Sequence, residues 1–195
     1  MAALKRMRKG KVGIRELRNF FNNLLEGKEI PKDWKDSIPI PIYKGKGNAM
    51  GCGNYRGVRL LEHGMKVYKY MLERRPREII DIGSYQFRFR QGRSTTGAIF
   101  IVRQMQERYN QNKTKLYHIF IDLEKAFDRV LRKVIEWALR RKMVPERMVE
   151  AIMTLYVETR TRVKTMAGVS KDFDIGVAVH QGSILSPLLF IVVNW

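Results

Sequence analysis

A chain of 195 residues is long enough for one domain, or two small lobes, with a real core, and 45% apolar with 10% aromatic residues give it the means to fold. Its 38 Lys and Arg against 19 Asp and Glu leave a net charge of +19, so a polyanion is the expected partner, nucleic acid first and an anionic membrane second. One cysteine (Cys52), three scattered histidines (His63, His118 and His180) and no apolar run near the ~20 residues of a spanning helix exclude a disulfide framework, a zinc centre and a membrane span. No signal-peptide core follows the basic N-terminus, so the expected protein is soluble and intracellular, with no membrane and no disulfide-linked partner.

In chain order, Ile14, Leu17, Phe20, Phe21, Leu24 and Leu25 recur at helical spacing, and Gly27 closes that helix as a C-terminal cap. Residues 37–43 form an apolar stretch that Pro39 and Pro41 limit to an edge or irregular strand. Loop 44–54 is glycine-rich, but no Gly-Lys-Ser/Thr opens a helix after it, which argues against a P-loop. Residues 62–80 read as a helix broken near Pro76. Ser94 or Thr95 caps another, with Ile99, Val102, Met105 and Tyr109 as its buried stripe.

Residues 116–121 then read as a buried strand ending at Asp122. A helix starting at Leu123 carries Phe127, Val130, Leu131, Val134, Ile135, Ala138 and Leu139 on one face, and another follows Pro145. Residues 162–167 and 173–179 make a hairpin bridged by Gly168–Lys171. Ser186 and Pro187 open a last apolar helix as N-cap and first residue. Strands and helices without regular alternation point to an α+β fold. The charge is uneven: residues 1–110 carry 24 basic and 10 acidic groups, residues 111–195 carry 14 and 9. The first part is thus the expected polyanion grip and the second a more neutral scaffold, although any single Lys or Arg can serve solubility alone.

Asp122 stands where an apolar strand ends, a place with little use for a structural charge. An exposed carboxylate there suits Mg²⁺, which takes one or two carboxylates, keeps waters and shares substrate phosphates. Phosphoryl transfer uses such ions in pairs. The alternative is that Asp122 caps the following helix and complements its dipole. Asp128, inside the first turns of that helix, reads as a helix-start charge.

The segment His118-Ile119-Phe120-Ile121-Asp122-Leu123-Glu124-Lys125-Ala126-Phe127-Asp128-Arg129-Val130 resembles the first catalytic palm motif of non-LTR (LINE-type, RTE-like) retrotransposon reverse transcriptases. Three further segments resemble motifs of the same family, in the family's order. Residues 54–63 (NYRGVRLLEH) match a fingers segment, residues 86–96 (QFRFRQGRSTT) the motif after it, and Gly176-Val177 with residues 180–190 (HQGSILSPLLF) the second palm motif.

The resemblance implies fingers plus an incomplete palm, the palm being a ferredoxin-like antiparallel sheet with helices packed on one face. It divides the chain into an N-terminal helical segment (1–29), a basic fingers-like lobe (30–110) and a palm-like lobe (111–195). By the same resemblance Asp122 is the catalytic residue and binds two Mg²⁺ ions. Phe127 lies under the incoming sugar and excludes a 2′-hydroxyl. Lys44, Lys46, Arg56 and Arg59 are the cations for nucleotide and template, and Gln181 and Gly182 line the nucleotide side. RNA template, DNA primer and dNTP are the implied partners, and the implied setting is intracellular, in the nucleus where such elements copy RNA at chromosomal targets.

Three positions depart from the family pattern: Arg88 replaces a glycine, and Gly57 and Leu131 replace prolines. The family's Tyr-x-Asp-Asp motif, expected beyond Ser186-Pro187 on a hairpin beside the Asp122 strand, is not in the sequence, which holds no Asp-Asp pair. Endonuclease, thumb and primer-grip regions are likewise not represented. The expectation is a reverse transcriptase domain whose isolated chain is inactive; a non-catalytic RNA- or hybrid-binding fragment and a decayed reading frame are the rivals.

Overall fold

Local sequence signals build the first half as their spacing predicts. In the computed structural model, which describes residues 11–59, 61–157, 160–165, 168–180 and 182–194, helix α1 (Lys11–Leu25) buries Phe21, Leu24 and Leu25. It stops where Gly27 turns left-handed at φ +85° and the Lys28 N–H reaches back to Asn23 O at 3.1 Å. Phe20 meets Trp34 of the short α2 (Lys32–Lys35) edge-on at 5.8 Å, and Phe21 and Trp34 meet Tyr68 at 5.5 and 5.9 Å. This aromatic cluster fastens α1 and α2 to α3 (His63–Ile79).

Helix α3 starts at Glu62, whose carboxylate accepts the Gly64 N–H at 2.6 Å. Partial burial pushes that carboxyl up, but the N–H groups of Gly64, Met65 and His63, with the His63 charge, outweigh it and hold it below its ordinary range. Pro76 does not break α3. It falls in the last turn, its ring is buried, and its carbonyl accepts the Ile80 N–H at 2.8 Å.

Among the described residues five strands are short and two are longer. Strands β2 (Pro39–Tyr43) and β3 (Tyr55–Arg59) pair antiparallel from Pro39↔Arg59 to Tyr43↔Tyr55. A two-stranded ribbon leaves each strand an open edge, where prolines of one parity forfeit no ladder bond. Strands β1 (Asp36–Ser37), β4 (Arg160–Thr161) and β7 (Phe173–Asp174) form a small sheet in the order β1-β4-β7, and β5 (Lys164–Thr165) pairs with β6 (Gly168–Val169). Of the hairpin expected over 162–179, β4 pairs with β7 and β5 with β6; Gly168 is a strand residue paired with Thr165 and not part of a bridge, and residues 166–167 lie outside the described residues.

The core is helical. α6 (Glu146–Thr154) and α7 (Leu185–Val193) each pack on α3 and on α5 (Arg132–Arg141), and α1 closes over α6. Ile135, Leu139, Val149, Ile152, Leu185, Leu188 and Leu189 are wholly buried. α7 is apolar on every side because it is central.

Four further expectations need correction. No helix starts at Leu123: Lys125 sits left-handed at φ +52°, a tight turn follows at Ala126–Asp128, and α5 begins only at Arg132. Phe127, Val130 and Leu131 are thus off that helix. Ser186 is not the N-cap of α7, which begins at Leu185; Ser183 Oγ accepts the Leu185 N–H at 3.3 Å, and the Ser186 hydroxyl donates to His180 O at 2.7 Å.

Helix α4 (Thr95–Gln111) is capped by Ser94, whose Oγ accepts the Gly97 N–H at 3.2 Å, but its stripe is not buried. Ile99, Met105 and Tyr109 are exposed, and Val102 is half-buried. Residues 116–121 form neither a strand nor a buried segment: Tyr117, Ile119, Phe120 and Ile121 are more than 80% exposed. A strand cannot satisfy its own backbone, and among the described residues nothing pairs with this run. The architecture is α+β, with the strands confined to small sheets around a helical core. Among the described residues no helix is long and apolar enough to cross a membrane.

Candidate active site

The loop between β2 and β3 is built tightly enough to hold its side chains in place. Gly45 and Gly47 take φ +73° and +82°, and a Cβ on Gly47 would meet the Asn54 amide at 2.8 Å. Asn54 Nδ2 donates to Asn48 O at 2.7 Å, and the Tyr55 hydroxyl donates to Ala49 O at 2.8 Å. Lys44 Nζ donates to Gly53 O at 2.8 Å, so its ammonium helps close the loop.

This loop forms part of the wall of a cavity of about 1120 Å³. Lys44, Cys52, Arg56 and Arg88 line it from the N-terminal half, while residues 122–128, Gly182, Ser183, Ile184, Ser186 and Pro187 line it from the C-terminal half. The left-handed Lys125 folds residues 122–128 back, so that Asp122, Glu124 and Asp128 all reach the same space. Asp122 and Arg56 are both exposed there, and neither side chain makes a hydrogen bond or ion pair among the described residues.

The floor is held from the core side. The Phe127 ring stacks on Phe190 of α7 at 4.6 Å and 25°, and the Val179 N–H donates to Phe127 O at 3.1 Å. The Ala178 N–H donates to Val130 O at 2.9 Å, which ties the carboxylate loop to the segment leading to Gly182. Behind that segment the buried Lys69 Nζ lies 2.7 Å from the buried His180 Nδ1, and the Tyr156 ring packs on His180 at 4.6 Å. Gly182 itself turns left-handed at φ +89°.

Of the residues picked from the sequence, Lys44, Arg56, Asp122, Phe127 and Gly182 come together on this cavity. Lys46 is exposed in the loop and does not line it. Arg59 closes the ribbon opposite Pro39, but its side chain lies outside the described atoms, and Gln181 lies outside the described residues. Asp128 belongs to the cavity wall and not to the start of a long helix, which corrects its earlier reading. Sequence reasoning missed Arg88 and Glu124 on this wall; Arg88 signalled itself only as a departure from a pattern.

Among the described residues no three His, Cys, Asp or Glu side chains converge as a metal-ligand group. The wall offers exposed carboxylates in a space wide enough for a phosphate chain. That donor set fits a Mg²⁺ ion shared with substrate phosphates and does not fit an all-protein cage.

Residues 42–194 match the family described as reverse transcriptase (RNA-dependent DNA polymerase). The chain belongs to the reverse transcriptase family. Every residue of the cavity wall lies within the matched span of this reverse transcriptase domain, whereas α1 lies outside it. The domain is 26% identical over 176 residues to the probable RNA-directed DNA polymerase from transposon BS of Drosophila melanogaster, covering 88% of this chain and 19% of that protein. It is 27% identical over 177 residues to the RNA-directed DNA polymerase from mobile element jockey of the same fly, covering 88% and 19%. It is 26% identical over 174 residues to the retrovirus-related Pol polyprotein from type-1 retrotransposable element R2 of Nasonia vitripennis, covering 89% and 17%. The chain spans less than a fifth of the length of these relatives, and it is a reverse transcriptase domain of retrotransposon origin.

Proposed function

We propose that the cavity is the nucleotide site of an RNA-directed DNA polymerase, with residues 30–110 acting as fingers and residues 111–195 as part of a palm. The observation that carries this reading is the meeting of Arg56, Asp122, Phe127 and Gly182, from three separate stretches of sequence, around one space. Asp122 would hold Mg²⁺, which when bound offsets negative charge on the phosphoryl group and its attacking and leaving oxygens. Arg56 grips phosphate oxygens in two-pronged fashion. Lys44 contributes charge, but it works mainly through the loop it closes, because its ammonium is committed to Gly53 O.

Phe127, fixed against Phe190, presents a flat apolar surface under the sugar and leaves no polar partner for a 2′-hydroxyl. Gly182 lets the backbone approach the nucleotide closely, with Gln181 beside it. RNA template, DNA primer and dNTP are the partners of this reading, and the nucleus is its setting. The sequence has no Asp-Asp pair to complete a two-ion cluster, so these 195 residues on their own bind and do not polymerise.

Equilibrium binding and primer extension on the purified chain test both halves. An RNA–DNA hybrid should bind with an affinity that falls on the order of a thousandfold between 50 and 200 mM salt if about six phosphates are engaged. Binding should survive Asp122→Ala, and no extension should occur with Mg²⁺ and dNTPs. Salt-independent or absent hybrid binding would refute the site reading. Extension that Asp122→Ala abolishes would refute the claim of inactivity.

A further inference from the structure

Three arginines lie in the run Gln86–Arg93, and what sets Arg88 apart is its place on the cavity wall. Arg90 Nη1 donates to Gly83 O at 2.7 Å, and the Arg93 guanidinium lies over the Phe87 ring at 5.6 Å. Arg88 differs. It is exposed, it lines the cavity that contains Asp122 and Phe127, and it makes no hydrogen bond or ion pair from its side chain among the described residues. Its guanidinium rests over the neighbouring Phe89 ring at 5.3 Å.

The backbone that presents Arg88 is clamped on both sides. Gln86 Nε2 donates to Arg88 O at 2.9 Å, and Arg77 Nη1 donates to Phe89 O at 2.7 Å. Arg77 is itself anchored to Glu73 within α3. Between these clamps Phe89 stands at φ +58°, a left-handed conformation that a bulky residue adopts only when its surroundings impose it. The turn is therefore over-determined, and its product is a cation directed at the cavity.

The charge on the walls gives that cation a purpose. The carboxylates Asp122, Glu124 and Asp128 all come from one loop, and Lys44, Arg56 and Arg88 come from the other half of the chain. With the Lys44 ammonium donating to Gly53 O, Arg56 and Arg88 are the two guanidiniums on this wall without an ionic or hydrogen-bonded side-chain partner among the described residues. Two planar guanidiniums suit a chain of phosphates, each matching a pair of oxygens.

We infer that Arg88 is a second guanidinium arm of the cavity, gripping with Arg56 the triphosphate tail of the incoming nucleotide; this rests on reading the cavity as a nucleotide site. Arg88 shares its space with Asp122 and Phe127, the carboxylate and ring read as facing the incoming nucleotide, and this favours the triphosphate over a template strand.

The test is equilibrium binding of a fluorescent dATP analogue to the full chain in EDTA, with inorganic tripolyphosphate as competitor and a single-stranded RNA oligonucleotide as a separate titration. Arg88→Ala should weaken the dATP analogue and tripolyphosphate by about tenfold, and Arg88→Lys by less, with RNA affinity unchanged. Arg88→Gln replaces the alanine variant if that variant does not fold. RNA weakened as much as triphosphate, or triphosphate binding left unchanged, overturns the assignment. Arg56→Ala separates the two readings. If it weakens triphosphate binding while Arg88→Ala does not, only the Arg88 role fails; if neither does, the nucleotide-site reading fails with it.

Discussion

Two apolar runs of this molecule have opposite fates. Residues 185–193 (LSPLLFIVV) form α7 at the centre of the core, with Leu185, Leu188 and Leu189 wholly buried. Residues 116–123 (LYHIFIDL) are nearly as apolar, yet Ile119, Phe120 and Ile121 are 84–88% exposed. A helix satisfies its own backbone and needs only side-chain neighbours. A strand needs another strand first, and none of the described residues supplies one here. Apolar composition drives burial only when the backbone can be buried along with it.

Substitutions that break this comparison have graded effects. Leu189→Ala should destabilise the chain by about 2–5 kcal/mol in urea unfolding, because α3 and α5 cannot close over the cavity it leaves. Tyr68 sharpens the buried side through pH. Burial pushes its hydroxyl up to about 12, partly opposed by Arg75, so the neutral form is favoured in the folded state. Stability from this group is complete below the unfolded value near 10 and is lost as pH rises through about 12. Tyr68→Phe should keep the aromatic cluster and flatten that alkaline loss. Ile119→Ser should change stability least, within about 0.5 kcal/mol. A loss above about 2 kcal/mol there would mean that the run is covered in solution and would contradict the contrast.

What the sequence revealed follows the range of the forces involved. The spacing and stop of α1, the Ser94 cap of α4 and the buried faces of α5 and α6 depend on residues within about four positions of one another, so spacing was enough to find them. The stripe of α4 has a helical period too, but period does not say what covers a face. The late start of α5 turns on Lys125 at φ +52°, a conformation that no glycine or asparagine announced.

The site divides in the same way. Arg56, Asp122, Phe127 and Gly182 were legible because their neighbours form recognisable motifs. Arg88 was not, since its place on the wall depends on clamps from Gln86 and from Arg77 of α3 that join only in three dimensions. Lys44 was legible as a cation, but its commitment to Gly53 O was not.

The claim on which all of this rests is that a nucleotide occupies the cavity, and Cys52 reports on it directly. It is the chain's single cysteine, it is exposed, and it lines that cavity. The measurement is the rate of Cys52 alkylation by a small thiol reagent as dATP is titrated onto the purified chain. The account predicts a several-fold slowing that saturates with nucleotide and is lost in Arg56→Ala. An alkylation rate unchanged while dATP binding saturates would contradict it.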